Sequence, residues 1–167
     1  AVAQHAQRLG SKLDWPSIHI TTGFQEANAL AHPAVAIPRS RVAIETPTFF
    51  GFTELLAQLN LKAVEIPTHS VEGMNLDALQ ATLERGSIAA VLLSPALSNP
   101  LGCSMPLAQR SRLASLASRY QTPVIEDVVW NDLVEQPQLR TTVQALDPDG
   151  SIAQVVEILS QVNEILD

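Results

Sequence analysis

Short continuous apolar runs alternate along this chain with segments in which apolar residues recur every three or four positions. The runs cover residues 18–23, 41–47, 62–67, 88–95 and 122–130. The segments with helical spacing cover residues 24–37, 49–60, 75–86 and 106–120. Strands that are covered on both faces are apolar at consecutive positions, so the runs predict buried strands. The alternation predicts βαβ units, and therefore a three-layer α/β fold with a mainly parallel sheet.

Capping residues mark the ends of two predicted helices. Asn75 precedes the apolar positions of segment 75–86, where its side chain can accept from first-turn N–H groups. Gly86 ends that segment, and Pro106 suits the first turn of the next helix.

The alternation of apolar runs and helical segments stops after residue 130. Residues 131–150 are polar, contain the turn sequence DPDG and predict a loop and linker. Residues 151–167 predict one amphipathic helix, with Ser151 as a candidate N-cap. Its apolar stripe consists of Ile152, Val155, Leu159, Val162 and Leu166. About two heptads are too few for a coiled coil, so the pattern favours a docking helix.

Composition and charge narrow the class of protein. The 167 residues fit about one domain, and 46% hydrophobic residues support a sizeable core. A net charge of −7 argues against direct contact between this segment and nucleic acid. No apolar run approaches the ~20 residues of a membrane span, so no membrane partner is expected. With Cys103 as the single cysteine, no internal disulfide forms, and a cytoplasmic location fits.

The residues that follow the predicted strands are the candidates for chemistry, because open parallel sheets bind ligands beyond the carboxyl ends of their strands. Gly23 leads from the first run directly into a helix, where N–H groups can hold a phosphate, although any strand-to-helix turn can use glycine. The sequence SNPLGC, residues 98–103, follows the fourth run; asparagine, proline and glycine are also ordinary turn residues.

Acidic and aromatic residues follow two other runs. Asp127 lies near the end of the fifth run, where a carboxylate can pair with a protonated ring nitrogen or cap a neighbouring helix. Phe49 and Phe50 can stack on a flat ring or belong to the core. The four histidines lack the spacing of metal ligands, so no metal site is expected.

Taken together, these segments resemble the large domain of pyridoxal-phosphate-dependent aminotransferases of the aspartate aminotransferase fold. The closer resemblance is to the effector domain of MocR-type regulators, a branch of the GntR transcription regulators. It is carried by ITTGFQEANALAHPAVA, RVAIETPTFFGFTELLAQLNLKAVEIPT, LDALQATLERGSIAAVLLSPALSNPLGCSMP and PVIEDVVWNDL. It covers most of residues 1–150, a partial domain, and leaves residues 151–167 outside.

The resemblance implies a set of cofactor contacts. Asn99 corresponds to the asparagine that hydrogen-bonds the phenolic oxygen of the pyridoxal ring. Asp127 corresponds to the aspartate that pairs with the ring nitrogen and keeps it protonated. Gly23, Phe24 and Gln25 correspond to the turn that binds the phosphate.

Two aromatic positions depart from the family pattern. Phe49 lies where a tyrosine usually stacks on the ring. Trp130 lies where the family commonly has a tyrosine near the ring oxygen. An indole N–H donates but cannot accept a hydrogen bond, so Trp130 can act only as a donor at this position.

The resemblance also exposes what this sequence lacks. The family continues after DPDG to the lysine that forms the Schiff base, whereas Lys12 and Lys62 are the only lysines here and neither matches that position. The small C-terminal domain, the carboxylate-binding arginine and a winged-helix domain have no counterpart either. We therefore expect a fragment, a truncated product or a chain without its middle part, which is inactive in transamination and binds pyridoxal phosphate weakly or not at all.

Three functions follow from these expectations. The first is a partial effector domain of a MocR-type regulator, which senses an amino acid or a pyridoxal-phosphate-type molecule and contacts DNA only through a separate N-terminal domain. The second is a fragment of a free-standing aminotransferase. The third is a module that folds or associates without a cofactor. Homodimer formation is compatible with each.

Overall fold

In the computed structural model, which describes residue 7 and residues 19–147, a five-stranded sheet lies at the centre of the chain. The strands are β1 (Arg41–Thr46), β2 (Lys62–His69), β3 (Gly73–Met74), β4 (Ile88–Leu93) and β5 (Val124–Glu126). Their order across the sheet is β3-β2-β1-β4-β5. The strands β2, β1, β4 and β5 pair in parallel, and only β3 is antiparallel to its neighbour. The predicted mainly parallel sheet is confirmed.

Within residues 19–147, four α-helices connect and cover the strands. They are α1 (Phe24–Val35), α2 (Phe50–Gln58), α3 (Leu76–Glu84) and α4 (Leu107–Tyr120). The side chain of Asn75 accepts hydrogen bonds from the N–H groups of Asp77 (3.1 Å) and Ala78 (3.0 Å), so the predicted N-cap of α3 is confirmed. Pro106 immediately precedes α4.

The two faces of the sheet carry separate apolar clusters. On one face, Leu79 of α3 and Leu113 of α4 pack against Val91 and Val124. On the other face, residues of α1 and α2, among them Phe52, pack against the alternate residues of the same strands. Because strand side chains alternate between the faces, β1, β4 and β5 each contribute to both clusters. This is the predicted three-layer arrangement.

Two of the five predicted strands differ in the structure: one does not form, and the other is shorter than predicted. Residues 19–23 form no strand, because an extended run becomes a strand only by pairing, and this run has no neighbour within residues 19–147. The fifth run, predicted over 122–130, forms a strand only at Val124–Glu126. Asp127 ends it, since its Oδ1 accepts the N–H of Val129 (3.0 Å) and folds the chain into a turn.

Four short elements were not predicted. β3 is a two-residue strand that follows β2. The described part of the predicted linker contains three short 3₁₀ helices, Asn131–Leu133, Pro137–Arg140 and Gln144–Leu146. Its residues Val134 and Val143 are buried, so this segment packs onto the domain instead of leaving it.

The buried arginine Arg110 explains why that segment packs. Its guanidinium donates to the carbonyl oxygens of Pro95 (2.7 Å) and Thr141 (2.6 Å), and its Nε donates to Met105 (2.9 Å). The carboxylate of Glu126, whose charge attracts Arg110, accepts the N–H of Val143. These contacts fix Thr141–Val143 against β5.

The predicted helix at 151–167 lies outside the described residues. Within the described part of the chain, no helix combines the length and the apolar character needed to cross a membrane.

Candidate functional site

The order of the strands places a crevice at the carboxyl ends of β1 and β4. After β1 the chain adds β2 and β3 on one side, and then returns to add β4 and β5 on the other side. Such a reversal leaves the two neighbouring strand ends uncovered, and open α/β sheets bind ligands there. Thr46 ends β1 and Ser94 follows β4, so the residues around them form the candidate site.

A buried group of three polar residues lies at these strand ends. Ser94 donates its backbone N–H to Glu45 Oε2 (2.9 Å) and its hydroxyl to Asp127 Oδ2 (3.0 Å). Asp127 is connected to β4 as well, because its N–H donates to the carbonyl of Leu93 (2.9 Å). Glu45, Ser94 and Asp127 are 3%, 6% and 7% exposed, respectively. Hydrogen bonds of Ser94 therefore connect the carboxyl ends of β1, β4 and β5.

Burial governs the charge of both acids. Burial, with a smaller contribution from the neighbouring Asp127 charge, raises the pKa of Glu45 to about 7 against the opposite effect of the Ser94 N–H. Burial also raises the pKa of Asp127, whereas the hydrogen bonds from Val129 and Ser94 lower it. Among the described residues, no lysine or arginine forms an ion pair with either carboxyl group.

Asn99 lies on the loop that follows β4. This loop returns on itself, because the N–H of Met105 donates to Pro95 (2.8 Å) and that of Gly102 donates to Ser98 (2.5 Å). Gly102 has a φ of +65°, a conformation that favours glycine. The side chain of Asn99 is exposed at the same sheet edge as Asp127. SNPLGC is therefore a turn, and its position leaves Asn99 available to a ligand.

The predicted phosphate turn begins α1. Gly23 precedes the helix with a φ of +141°, which only glycine adopts readily. Phe24 and Gln25 are the first two residues of the helix, and Gln25 is exposed. The carboxylate of Glu26 accepts from the N–H (2.6 Å) and the hydroxyl (2.7 Å) of Thr22, and these hydrogen bonds lower its pKa. A negative charge is thus already present at this helix end.

Phe49 lies at the start of α2, just after β1. Its half-buried ring contacts Phe50 (centroids 4.8 Å apart) and Phe52 (5.8 Å, edge to face). The ring also lies over Gly51, where an added Cβ would approach Phe49 Cε1 to 2.4 Å. Phe50 is 66% exposed, whereas Phe49 is half-buried and packs against the apolar cluster that contains Phe52.

Trp130 is the last of the predicted site residues, and Lys62 is the one lysine within residues 19–147. Trp130 is 44% exposed and follows the turn made by Asp127. Lys62 begins β2 and is paired in register with Arg41, which begins β1. The lysine therefore lies at the amino edge of the parallel sheet, opposite to the edge that carries Asp127.

Sequence reasoning missed Glu45, Ser94 and Arg110. Glu45 had a readable signal, because a single acid within the apolar run RVAIETP is unusual in a buried strand. Arg110 had none, since an arginine in a polar helical segment predicts a solvated face. No group of three or more histidine, cysteine, aspartate or glutamate residues in the described ranges could hold a metal ion.

An open α/β sheet with acidic and aromatic side chains at its switch point defines the class of small-molecule-binding α/β domains. Comparison with known proteins narrows this class. The family model for class I and II aminotransferases matches residues 1–158, and the chain belongs to that family. The predicted family resemblance and the aminotransferase-like fold are confirmed.

Two kinds of known protein are similar in sequence to this chain. The helix-turn-helix-type transcriptional regulator YjiR of Escherichia coli K12 is 34% identical over 143 residues, which are 86% of this chain and 30% of that protein. Aromatic-amino-acid aminotransferase 1 of Thermococcus litoralis is 29% identical over 85% of this chain and 34% of that protein. The chain thus spans about a third of the length of these curated relatives.

Solved structures match in the same way. Kynurenine aminotransferase of Pyrococcus horikoshii superimposes with a TM-score of 0.71 at 26% identity, over 84% of this chain and 35% of that one. An archaeal alanine:glyoxylate aminotransferase gives a TM-score of 0.82 at 24% identity, over 95% of this chain and 39% of that one, which speaks for the fold alone.

Pyridoxal phosphate is the cofactor of this family, so its fit to the described residues can be tested. The ring-nitrogen end fits, because Asp127 is a buried carboxylate with one hydrogen bond to each oxygen and no cationic partner among the described residues. A protonated ring nitrogen would supply a positive charge beside Asp127. The phosphate end fits less well, since the Glu26 carboxylate would repel a phosphate at the start of α1.

Proposed function

We propose that this chain is part of the effector domain of a MocR-type transcription regulator, in which the aminotransferase fold binds a pyridoxal-phosphate-type ligand. The observation that carries the proposal is the buried Asp127 at the switch point, which lacks a cation among the described residues. A buried carboxylate of this kind favours a ligand with a cationic N–H group.

Each predicted residue has one task in this proposal. Asp127 accepts from the ring N–H and holds the proton there. Asn99 donates to the phenolic oxygen, and Phe49 covers one face of the ring. The N–H groups of Gly23, Phe24 and Gln25 bind the phosphate.

Trp130 contributes a donor at most, because an indole cannot accept. When bound, the cofactor supplies an electron sink for bonds at a substrate α-carbon. We expect the described residues to hold the ring without turnover, because Lys62 lies at the far edge of the sheet and Lys12 has no counterpart in the family's motifs.

The relatives support the regulator assignment. Besides YjiR, the vitamin B6 salvage pathway transcriptional repressor PtsJ of Salmonella typhimurium is 30% identical over 81% of this chain. Its name concerns a vitamin B6 pathway, which agrees with a pyridoxal-type effector. DNA contact would belong to a separate domain, since this chain carries a net charge of −7. A cytoplasmic, dimeric protein fits this role.

A free-standing aminotransferase is the second candidate. The Thermococcus litoralis enzyme supports it, as does the 2-aminoadipate transaminase of Thermus thermophilus, which is 31% identical over 68% of this chain. A mobility-shift assay of the full-length protein with DNA from its own promoter separates the two. Retarded DNA that responds to pyridoxal phosphate supports the regulator, whereas amino-acid-dependent turnover without DNA binding supports the enzyme.

The binding site itself is tested on the 167-residue chain with pyridoxine 5′-phosphate, a probe that has the ring and phosphate but no aldehyde. Amide NMR shifts should move at Gly23, Gln25 and Asn99 as the probe is added, with weak affinity. Asp127→Asn should abolish this response, while Asp132→Asn, an exposed neighbour on the same segment, should preserve it. Equal responses in wild type and Asp127→Asn would contradict the assigned site.

A further inference from the structure

Glu45 has no role in the proposed ring contacts, yet it lies in the same buried crevice as Asp127. Its Oε2 accepts the N–H of Ser94, whose hydroxyl donates to Asp127. Both acids are more than nine-tenths buried, and the described residues provide neither of them with an ion-pair partner. Two neighbouring carboxyl groups in such an environment do not both ionise easily, so the pair favours a single negative charge.

The hydrogen bonds decide which acid carries that charge. Asp127 accepts two hydrogen bonds, from the Ser94 hydroxyl and the Val129 N–H, whereas Glu45 accepts one, from the Ser94 N–H. Donors directed at a carboxylate stabilise its ionised form. The charge therefore resides on Asp127 and the proton on Glu45. The second oxygen of Glu45 is left to carry the proton.

We propose that Glu45 is a positioning residue for the ring-nitrogen contact: it holds a proton while Asp127 lacks a cationic partner, and releases this proton to solvent when a cationic ring N–H binds Asp127. The inference rests on the proposed function. The exchange conserves charge, because one positive charge arrives with the ring N–H and one leaves as the proton when the Glu45 O–H bond breaks. The buried crevice keeps the same net charge before and after binding.

The other charged groups nearby do not compete for this role. Glu126 precedes Asp127, but its carboxylate accepts the N–H of Val143 and is attracted to Arg110 of α4. Asp127 is the charged group that raises the pKa of Glu45, and the two carboxyl groups are joined through Ser94. On α1, the buried His32 uses Nδ1 toward the carbonyl of Asn28 (2.9 Å). The titration therefore belongs to the Glu45–Asp127 pair.

The experiment compares the wild-type chain with Glu45→Gln, which keeps an oxygen for the Ser94 N–H but cannot titrate. The affinity for pyridoxine 5′-phosphate is measured from about pH 5.5 to about pH 8. Because both proteins meet the same probe, its own titration cancels in the ratio of their affinities. We expect this ratio, wild type over variant, to rise roughly threefold to tenfold with pH and level off above about pH 7. Glu54→Gln, on an exposed position of α2, should behave as wild type.

A second measurement needs no ligand. Carboxyl carbon NMR of the free chain should show Glu45 titrating near neutral pH, and Asp127→Asn should move its midpoint to lower pH. A Glu45 midpoint in the ordinary carboxyl range, unmoved by Asp127→Asn, overturns the inference whatever the ligand does. A ratio of affinities that does not change with pH overturns this inference but leaves the proposed function intact. No binding by the wild type at any pH contradicts the proposed function and the proton release together.

Discussion

Replacing Arg110 should destabilise the fold more than any surface substitution, because this side chain holds three segments together from a buried position. It is fully buried and donates to the carbonyl oxygens of Pro95, Met105 and Thr141. We take Arg110→Met as the perturbation, because methionine fills much of the same volume but offers no donor. Arg110→Lys keeps the charge but cannot form the planar, forked set of hydrogen bonds.

The expected loss follows from what each partner keeps. The oxygen of Pro95 retains the N–H of Met105, so it is not left without a donor. The oxygens of the buried Met105 and the half-buried Thr141 lose their guanidinium donor, at about 1–3 kcal/mol for a buried group and less for a half-buried one. Glu126 keeps the N–H of Val143 but loses a neighbouring positive charge. Together these terms give about 3–5 kcal/mol, the range found when one partner of a buried charged pair is removed.

Urea unfolding followed by circular dichroism measures this loss. We expect the unfolding midpoint to fall strongly for Arg110→Met, with Arg110→Lys in between. Arg112→Met is the matched control, since Arg112 lies on the same helix and pairs with Asp77 at the surface, where such pairs contribute less than about 1 kcal/mol. A loss below about 1 kcal/mol for Arg110→Met, equal to that of the control, would refute the assignment of Arg110 as the connection between these segments.

Three other outcomes can be measured in the same way. Since the pKa of Glu45 is raised to about 7 by burial, the folded state holds the proton longer than the unfolded chain, so stability is lost as pH rises from about 4.5 to 7. Glu45→Gln should remove this loss of stability. The free energy of unfolding should rise by up to about 3 kcal/mol at pH 8 and change little at pH 4.5. A gain at both pH values would contradict the reasoning. Gly51→Ala should displace the Phe49 ring and weaken pyridoxine 5′-phosphate binding severalfold with a small change in melting temperature, whereas unchanged affinity would remove Phe49 from the site. Glu26→Gln should tighten the same binding about two- to fivefold at low salt and less at high salt, and a salt-independent effect would argue against a charge origin.

The layers of the fold were predictable because their signals are local. The apolar runs gave four of the strands, and Asn75 marked the start of α3, since both depend on neighbours within a few residues. The run at 18–23 failed because a strand also needs a partner, which no local pattern reveals. The fifth strand came out short because the side chain of Asp127 bends the chain that carries it.

The candidate site was predicted from the residues that follow the strands and from the family resemblance. Both point to Asp127 and Gly23 as candidates, and the structure adds the contacts that surround them. Ser94 was missed because its two hydrogen bonds reach residues 49 and 33 positions away in the sequence. Glu45 was missed because its importance arises from burial beside a second acid, which only the packed sheet creates.

The short strand β3 has a consequence for how this chain behaves at high concentration. It pairs with β2 only at Thr68 and His69, and within the described residues the outer side of β2 from Lys62 onward has no other strand beside it. A bare strand edge invites pairing with another molecule. Here Pro67 lacks an N–H for such a ladder, and the exposed charges of Lys62 and Glu65 repel a like-charged copy aligned in register. The edge of β2 is thus protected against fibrous aggregation by three side chains, and replacing all three with valine should convert a dispersed chain into one that precipitates.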